Sequence, residues 1–277
     1  MVYPFVIMAL LLSVCTIYFG GFAGLSAVLF GILFFVLYFV GAFLLFCLAL
    51  FVMSLAVNMD EPQERDSRFF RAMTVFALGF VIKILRVKPE VTGLENIPEG
   101  RFLLIQNHRS MFDPLISLCV FDKYQLGFIT KPENMKLPVI GKFAHRICCL
   151  PIDRNNPRNA VKTINAAVDY LNNDVCSIGL YPEGRRNRGS DEGILPFRNG
   201  SLKIATKAGV PVVVTAITET DRIKSRAPFR KTVVSLKVCG VVSAETVRAS
   251  STAELSETTR KLLCDGLGVP FKENTDE

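Results

Sequence analysis

The chain has 277 residues, 50% of them hydrophobic, and 32 basic against 25 acidic side chains give a formal net charge of +7. Its eight cysteines include one adjacent pair, Cys148-Cys149, and no CxxC spacing, which excludes a disulfide framework and a zinc site. Cys148, Cys149 and Cys176 lie in apolar strand-like runs and read as reduced core thiols of a cytosolic domain.

No Asp, Glu, Lys, Arg or His occurs before Asp60. A hydrocarbon layer of ~30 Å takes about 20 residues of helix. Residues 1–59 therefore suffice for two crossings, with a break at Gly20-Gly21-Phe22-Ala23-Gly24. The alternative is a cleaved signal peptide, but the run lacks a basic start and far exceeds a signal's apolar core. The reading is a retained membrane-embedded helical pair. It makes anionic lipid, and not nucleic acid, the partner that the basic excess suits. The break carries no positive charge, whereas Arg65, Arg68 and Arg71 crowd the exit from the second helix. The positive-inside rule then puts the rest of the chain on the cytoplasmic face of the cell membrane.

Residues 60–86 read as a linker and an interfacial helix. Glu61 to Asp66 is polar, and the apolar stretch Phe69 to Leu85 is interrupted by Arg71 and Lys83, leaving it too short to span. Laid on a membrane, it would hold Arg68, Arg71, Lys83 and Arg86 near the headgroups. Periodicity alone equally permits a helix buried in the domain core. Beyond Val87, strands are predicted at 102–106, 125–130, 147–152, 176–181, 212–217 and 233–242, and helices at 114–121, 158–171, 201–208 and 252–264. This alternation predicts an α/β domain over residues 87–277, with a mixed, largely parallel sheet flanked by helices.

His108, Lys131, Asp153-Arg154 and Glu183 to Arg186 each fall just past the carboxyl end of a predicted strand, where open α/β sheets bind ligands. Ordinary polar turns explain any one of these segments; they explain the joint chemistry less well. On a straight helix His108 and Asp113 would point about 140° apart, so they meet only across a turn. Asp113-Pro114 supplies one, since aspartate suits the N-cap and proline the first helical position. Asp113 would then fix the imidazole tautomer and stabilise the imidazolium. His145, in a helix-like stretch beside Arg146, is assigned no chemical role. After the strand at 176–181, Pro182 and Gly184 shape a turn that presents Arg185 and Arg186 as an anion clamp. Arg188 reads as part of a solvated loop. Lys131 and Lys136, in a loop shaped by Pro132, Pro138 and Gly141, offer a second phosphate contact or a seat for a donor's head group.

The order NHxxxxD (from Asn107), KPE…K-x-P-x-x-G (Lys131 to Gly141), IDR (Ile152 to Arg154), YPEGRR (Tyr181 to Arg186) and GVPVV (from Gly209) resembles the glycerolipid acyltransferase family. Within it, the pattern is most similar to the 1-acylglycerol-3-phosphate acyltransferases, which also carry a preceding hydrophobic anchor. The resemblance spans about Gly93 to Thr215. It implies His108 as the catalytic histidine, Asp113 as its partner, and Arg186 as the phosphate-binding arginine of the family's FPEGTRS block. Glu183 and Gly184 match that block's glutamate and glycine, and Lys131 and Lys136 lie in the segment used for acceptor binding. Arg185 departs from the family's threonine, and Val214 stands where the last block has a second proline.

The resemblance implies transfer of an acyl chain from acyl-CoA or acyl-carrier protein to the sn-2 hydroxyl of lysophosphatidate, yielding phosphatidate, with no metal or redox cofactor. Ser110 lacks the surroundings of a nucleophile elbow, which favours direct transfer over an acyl-enzyme. Another lysophospholipid or glycerol 3-phosphate as acceptor, and a catalytically inactive lipid-binding scaffold, are the alternatives.

Overall fold

A computed structural model describes residues 2–153, 156–187, 194–198 and 200–271. The chain divides into two compact units, residues 1–58 and 59–277. The first unit is a helical hairpin. Helix α1 (Tyr3–Phe19) begins with Pro4 in its first turn, where a missing N–H costs nothing. Gly21 and Gly24, at φ of 67° and 57°, turn the chain into α2 (Gly24–Leu55). Thr16 bonds Tyr38 at 2.8 Å and Phe5 packs edge-on against Phe46, so the helices run antiparallel. Helix α2 is long and apolar enough to cross a membrane. Helix α1 is a shorter apolar helix of 17 residues.

In the second unit, α3 (Arg68–Ile84) precedes, among the described residues, seven strands: β1 (Val87–Thr92), β2 (Leu103–Gln106), β3 (Leu126–Thr130), β4 (Leu150–Pro151), β5 (Ser177–Leu180), β6 (Val212–Thr218) and β7 (Thr232–Val242). Between strands lie α4 (Asp113–Val120), α5 (Pro132–Met135), α6 (Ile140–Arg146), α7 (Pro157–Asn172), α8 (Lys203–Ala208) and α9 (Ile223–Arg226), and α10 (Ala244–Ala249) and α11 (Thr252–Leu267) close the chain. The strands form one sheet in the order β1-β7-β6-β2-β5-β3-β4, parallel throughout except for β6 against β7.

The period of two in the strands builds both cores. Leu103 and Ile105 of β2, with Val212 and Val214 of β6, face a cluster containing Ala167, Leu171, Ile204 and Leu263 from α7, α8 and α11. Phe102, Leu104, Val213 and Ile217 face the opposite cluster, with Ile82 of α3 and Ile116 of α4. A strand covered on both faces needs a continuous apolar run, as Phe102 to Ile105 supplies.

Two expectations change. The apolar run 147–152 is largely not strand: Cys148 and Cys149 donate back to the carbonyls of His145 and Ala144, closing α6 and leaving only Leu150–Pro151 to pair with β3. Arg71, expected near headgroups, is turned into the second unit and is 5% exposed. Its guanidinium bonds Asp66 through Nε (2.8 Å) and Nη2 (2.6 Å) and donates to the carbonyls of Leu126 (3.1 Å) and Ile147 (3.4 Å). One carboxylate and the carbonyls of Leu126, in β3, and Ile147, after α6, satisfy this cation inside the protein, so α3 packs as part of the second unit. Its other side still exposes Phe69, Val81 and Ile84.

Candidate active site

Because β2, β5 and β6 are parallel neighbours, the segments that follow them emerge at one edge of the sheet. Asn107 anchors the first segment. Its side-chain amide donates to the Ile217 carbonyl and its side-chain oxygen accepts the Ile217 N–H, both at 2.8 Å, so it continues the β2–β6 ladder by one rung. The next residue, His108, is thereby delivered to the edge with its backbone already held.

The turn from His108 to Asp113 is organised by one carboxylate. Asp113 Oδ2 accepts from His108 Nδ1 (2.8 Å), the Arg109 N–H (2.7 Å) and the Ser110 N–H (2.8 Å). Oδ1 accepts the Thr220 hydroxyl at 2.5 Å. The side chain is fully buried. Four donors surround this carboxylate, three converging on Oδ2 and one on Oδ1, which is how a buried charge is tolerated. With Asp113 as acceptor, Nδ1 carries the imidazole proton and Nε2 keeps its lone pair for a substrate. The predicted meeting of His108 and Asp113 across a turn is present, with one difference. Asp113 is the first residue of α4, and its carboxylate binds the amides of the preceding turn instead of capping its own helix.

A second carboxylate holds the same histidine from the β5 side. Tyr181 accepts the Gly184 N–H (3.0 Å) in a tight turn, and Gly184, at φ 72°, takes a conformation that suits glycine. The turn aims Glu183 inward. Its Oε1 accepts the His108 N–H (2.7 Å) and its Oε2 the Leu195 N–H (3.1 Å). Burial pushes the Glu183 carboxyl up to about 7, against the opposing pull of those two N–H donors. The Asn187 N–H closes the arrangement by donating to the His108 carbonyl at 2.7 Å. The His108 ring stacks on Tyr181 with centroids 4.1 Å apart, and Tyr181 stacks in turn on Phe128 at 5.3 Å. Burial, followed by the charge of Asp113, holds the Tyr181 phenol well above its ordinary range and therefore neutral.

The structure thus bonds His108, Asp113 and Glu183 into one network. Glu183 and Gly184, expected among substrate contacts, are buried in the turn and also line the cavity beside it. Arg185 and Arg186 follow directly and are exposed. Lys131 and Lys136 flank α5, also exposed, and neither is bonded to the dyad among the described residues. Arg154 and Arg188 lie outside the described residues. His145, assigned no role, bonds the Glu61 carbonyl at 3.0 Å. Ser110 Oγ accepts from the Phe112 N–H at 3.4 Å and has no bond to His108 among the described residues. Thr220 and the ring stack had no sequence signal of their own: Thr220 is 107 residues from its partner. A cavity of about 920 Å³ adjoins the Tyr181–Arg185 turn, with Ile129, Ile164, Leu180 and Phe197 among its walls and Arg185 and Arg198 contributing charge.

Residues 88–218 match the acyltransferase family model. A chloroplastic 1-acyl-sn-glycerol-3-phosphate acyltransferase of Brassica napus is 31% identical over 49% of this chain and 39% of its own length. A 1-acyl-sn-glycerol-3-phosphate acyltransferase of Saccharomyces cerevisiae is 22% identical over 79% of this chain and 71% of its own. This chain therefore spans well under half the length of the first relative and about seven tenths of the second. Among solved structures, the 1-acyl-sn-glycerophosphate acyltransferase PlsC of Thermotoga maritima superposes with a TM-score of 0.57 at 25% identity, covering 96% of this chain and 99% of that one.

Proposed function

We propose, for a chain whose residues 88–218 match the acyltransferase family model, that it transfers an acyl group from a thioester to the sn-2 hydroxyl of 1-acyl-sn-glycerol 3-phosphate, forming phosphatidate. The observation that carries the reading is the 2.8 Å bond from Asp113 to His108 Nδ1, which leaves Nε2 as a base at the edge of the sheet. Nε2 takes the hydroxyl proton as that oxygen attacks the thioester carbonyl carbon. Collapse of the tetrahedral intermediate breaks the C–S bond, and the imidazolium returns the proton to the departing thiolate. Buried Asp113 stabilises the imidazolium between these steps.

Arg186 binds the acceptor phosphate, with Arg185 and the Lys131–Lys136 segment adding cations, and this positions the hydroxyl. Ser110 Oγ has no bond to His108 among the described residues, which supports direct transfer without an acyl-serine. The reaction needs no metal or redox cofactor, because the thioester is already activated; the donor is acyl-CoA or acyl-carrier protein. Residues 1–59 hold the enzyme in the cell membrane, and the positive charges after that segment put the catalytic unit on the cytoplasmic face. A second acceptor class, another lysophospholipid or glycerol 3-phosphate, is favoured by the exposed second cation at Arg185.

The test is acyl transfer from labelled acyl-CoA and acyl-carrier protein to lysophosphatidate in liposomes, comparing wild type with His108→Gln. Phosphatidate formed by wild type and lost in a folded variant is the expected result. Equal product from both would remove His108 as the base, and product only with a different acceptor would move the second reading to the front.

A further inference from the structure

The segment Arg222–Lys231 carries five cations in ten residues and no carboxylate. It joins β6 to β7, and because those strands are antiparallel it lies at the carboxyl end of β6, the edge of the sheet that also carries His108 and Thr220. Its apolar residues face two ways. Ile223 is fully buried and fixes α9, whereas Phe229 is 85% exposed. The backbone around Phe229 is held. Arg86 Nη1 donates to the Phe229 carbonyl (3.2 Å), the Arg230 N–H to the Arg226 carbonyl (2.8 Å) and the Ala227 N–H to the Ile223 carbonyl (2.9 Å). Arg222 and Arg226 share Glu219, at 2.8 and 4.0 Å, while Lys224, Arg230 and Lys231 are exposed. Ile84, two residues before Arg86, and Val233, at the start of β7, are exposed as well.

An aromatic ring held in water is unfavourable until an apolar phase receives it, and surrounding cations restrict that phase to one with an anionic surface. We propose that the loop 222–231 docks the catalytic unit onto an anionic phospholipid surface, with Phe229 inserted below the headgroups and the arginines and lysines on lipid phosphates. An acidic protein would also satisfy the cations. The outward Phe229, the exposed Ile84 and Val233, and the uncharged helical pair in the same chain favour lipid. The inference rests on the reading of acyl transfer to a membrane lipid, because a docked edge opens the crevice toward the phase that supplies acceptor and receives product.

The chain has no tryptophan, so Phe229→Trp installs a single reporter at an exposed position. The full-length variant in nanodiscs rich in phosphatidylglycerol should give blue-shifted emission, quenched by lipids brominated on the acyl chain. In phosphatidylcholine discs, or with Lys224, Arg230 and Lys231 replaced by Gln in anionic discs, the emission should be water-like and quenched by acrylamide. Water-like emission in anionic discs overturns the proposal. A shift that appears only when acidic carrier protein is added to neutral discs also overturns it, in favour of a protein partner. Acyl transfer to lysophosphatidate is measured on the same discs. An active enzyme with a water-like reporter fails the docking alone, and a docked but inactive one supports the docking while failing the acyltransferase reading.

Discussion

Thr220 holds Asp113 through the carboxylate oxygen that His108 does not use, and so fixes the plane of the group that orients the imidazole. A hydrogen bond to a charged acceptor contributes about 1.5–3 kcal/mol, of which a part is felt as lost orientation. Thr220→Val keeps the shape and removes the donor. It should lower kcat by roughly tenfold with little change in KM for the acceptor, and Thr220→Ser should restore most of it; an unchanged kcat would separate Thr220 from the dyad. Glu183 makes a pH prediction. A carboxyl whose folded pKa of about 7 exceeds its ordinary 4.5 binds a proton on folding. Its contribution to stability is therefore present in full below pH 4.5 and is lost as the pH rises through 7, by up to about 3 kcal/mol. Thermal unfolding from pH 4.5 to 7 should show wild type losing stability faster than Glu183→Gln as the pH rises, and parallel curves would refute the raised pKa.

At the level of elements, α3 shows what a buried charge does for a helix. The side chains of Arg71 and Asp66 are 6% and 1% exposed, so removing one strands the other. Arg71→Met should cost about 3–5 kcal/mol, and Arg71→Met with Asp66→Leu considerably less, read as unfolding midpoints in detergent. The same helix marks where the sequence stops being legible. Its amphipathic pattern fits a membrane surface and a protein core alike, because Arg71 reads as a surface charge until Leu126 and Ile147 bring their carbonyls to it. Strands 102–106, 176–181 and 212–217 were legible because burial on both faces demands unbroken apolar runs. The run at Ile147 was misread since the same apolar composition ends a helix there, with Cys148 at φ 62°. His108 and Asp113 could be paired from the turn that Asp113-Pro114 imposes after a predicted strand, although Asp113 turned out to bind the turn's amides and not to cap its helix. The hold of Glu183 on the His108 and Leu195 N–H groups was not legible, because nothing in the sequence brings its carboxylate to backbone amides 75 and 12 residues away.

For the molecule as a whole, the two N-terminal helices are unequal. At ~1.5 Å per residue, α1 is roughly 25 Å long and α2 roughly 48 Å, against a hydrocarbon core of ~30 Å. If α2 crosses the bilayer as proposed, its extra length is taken up by tilt or by projection into the interface. In a cysteine-free background, Phe22→Cys should react with an impermeant maleimide from outside the cell, as two crossings require; reaction from the cytoplasmic side alone would put the hairpin in one leaflet. The position of β1 in the sheet bears on how the chain is made. Among the described residues this edge strand pairs with β7 alone, through Val87↔Thr232 to Thr92↔Lys237, roughly 145 residues later. At about 5–20 residues per second, the ribosome takes on the order of ten seconds or more to deliver that partner. Throughout this interval the hydrogen-bonding edge of β1 is unmatched on a nascent chain whose apolar hairpin has already emerged, so the last-made strand decides whether the first-made one is protected from pairing with a neighbouring polypeptide.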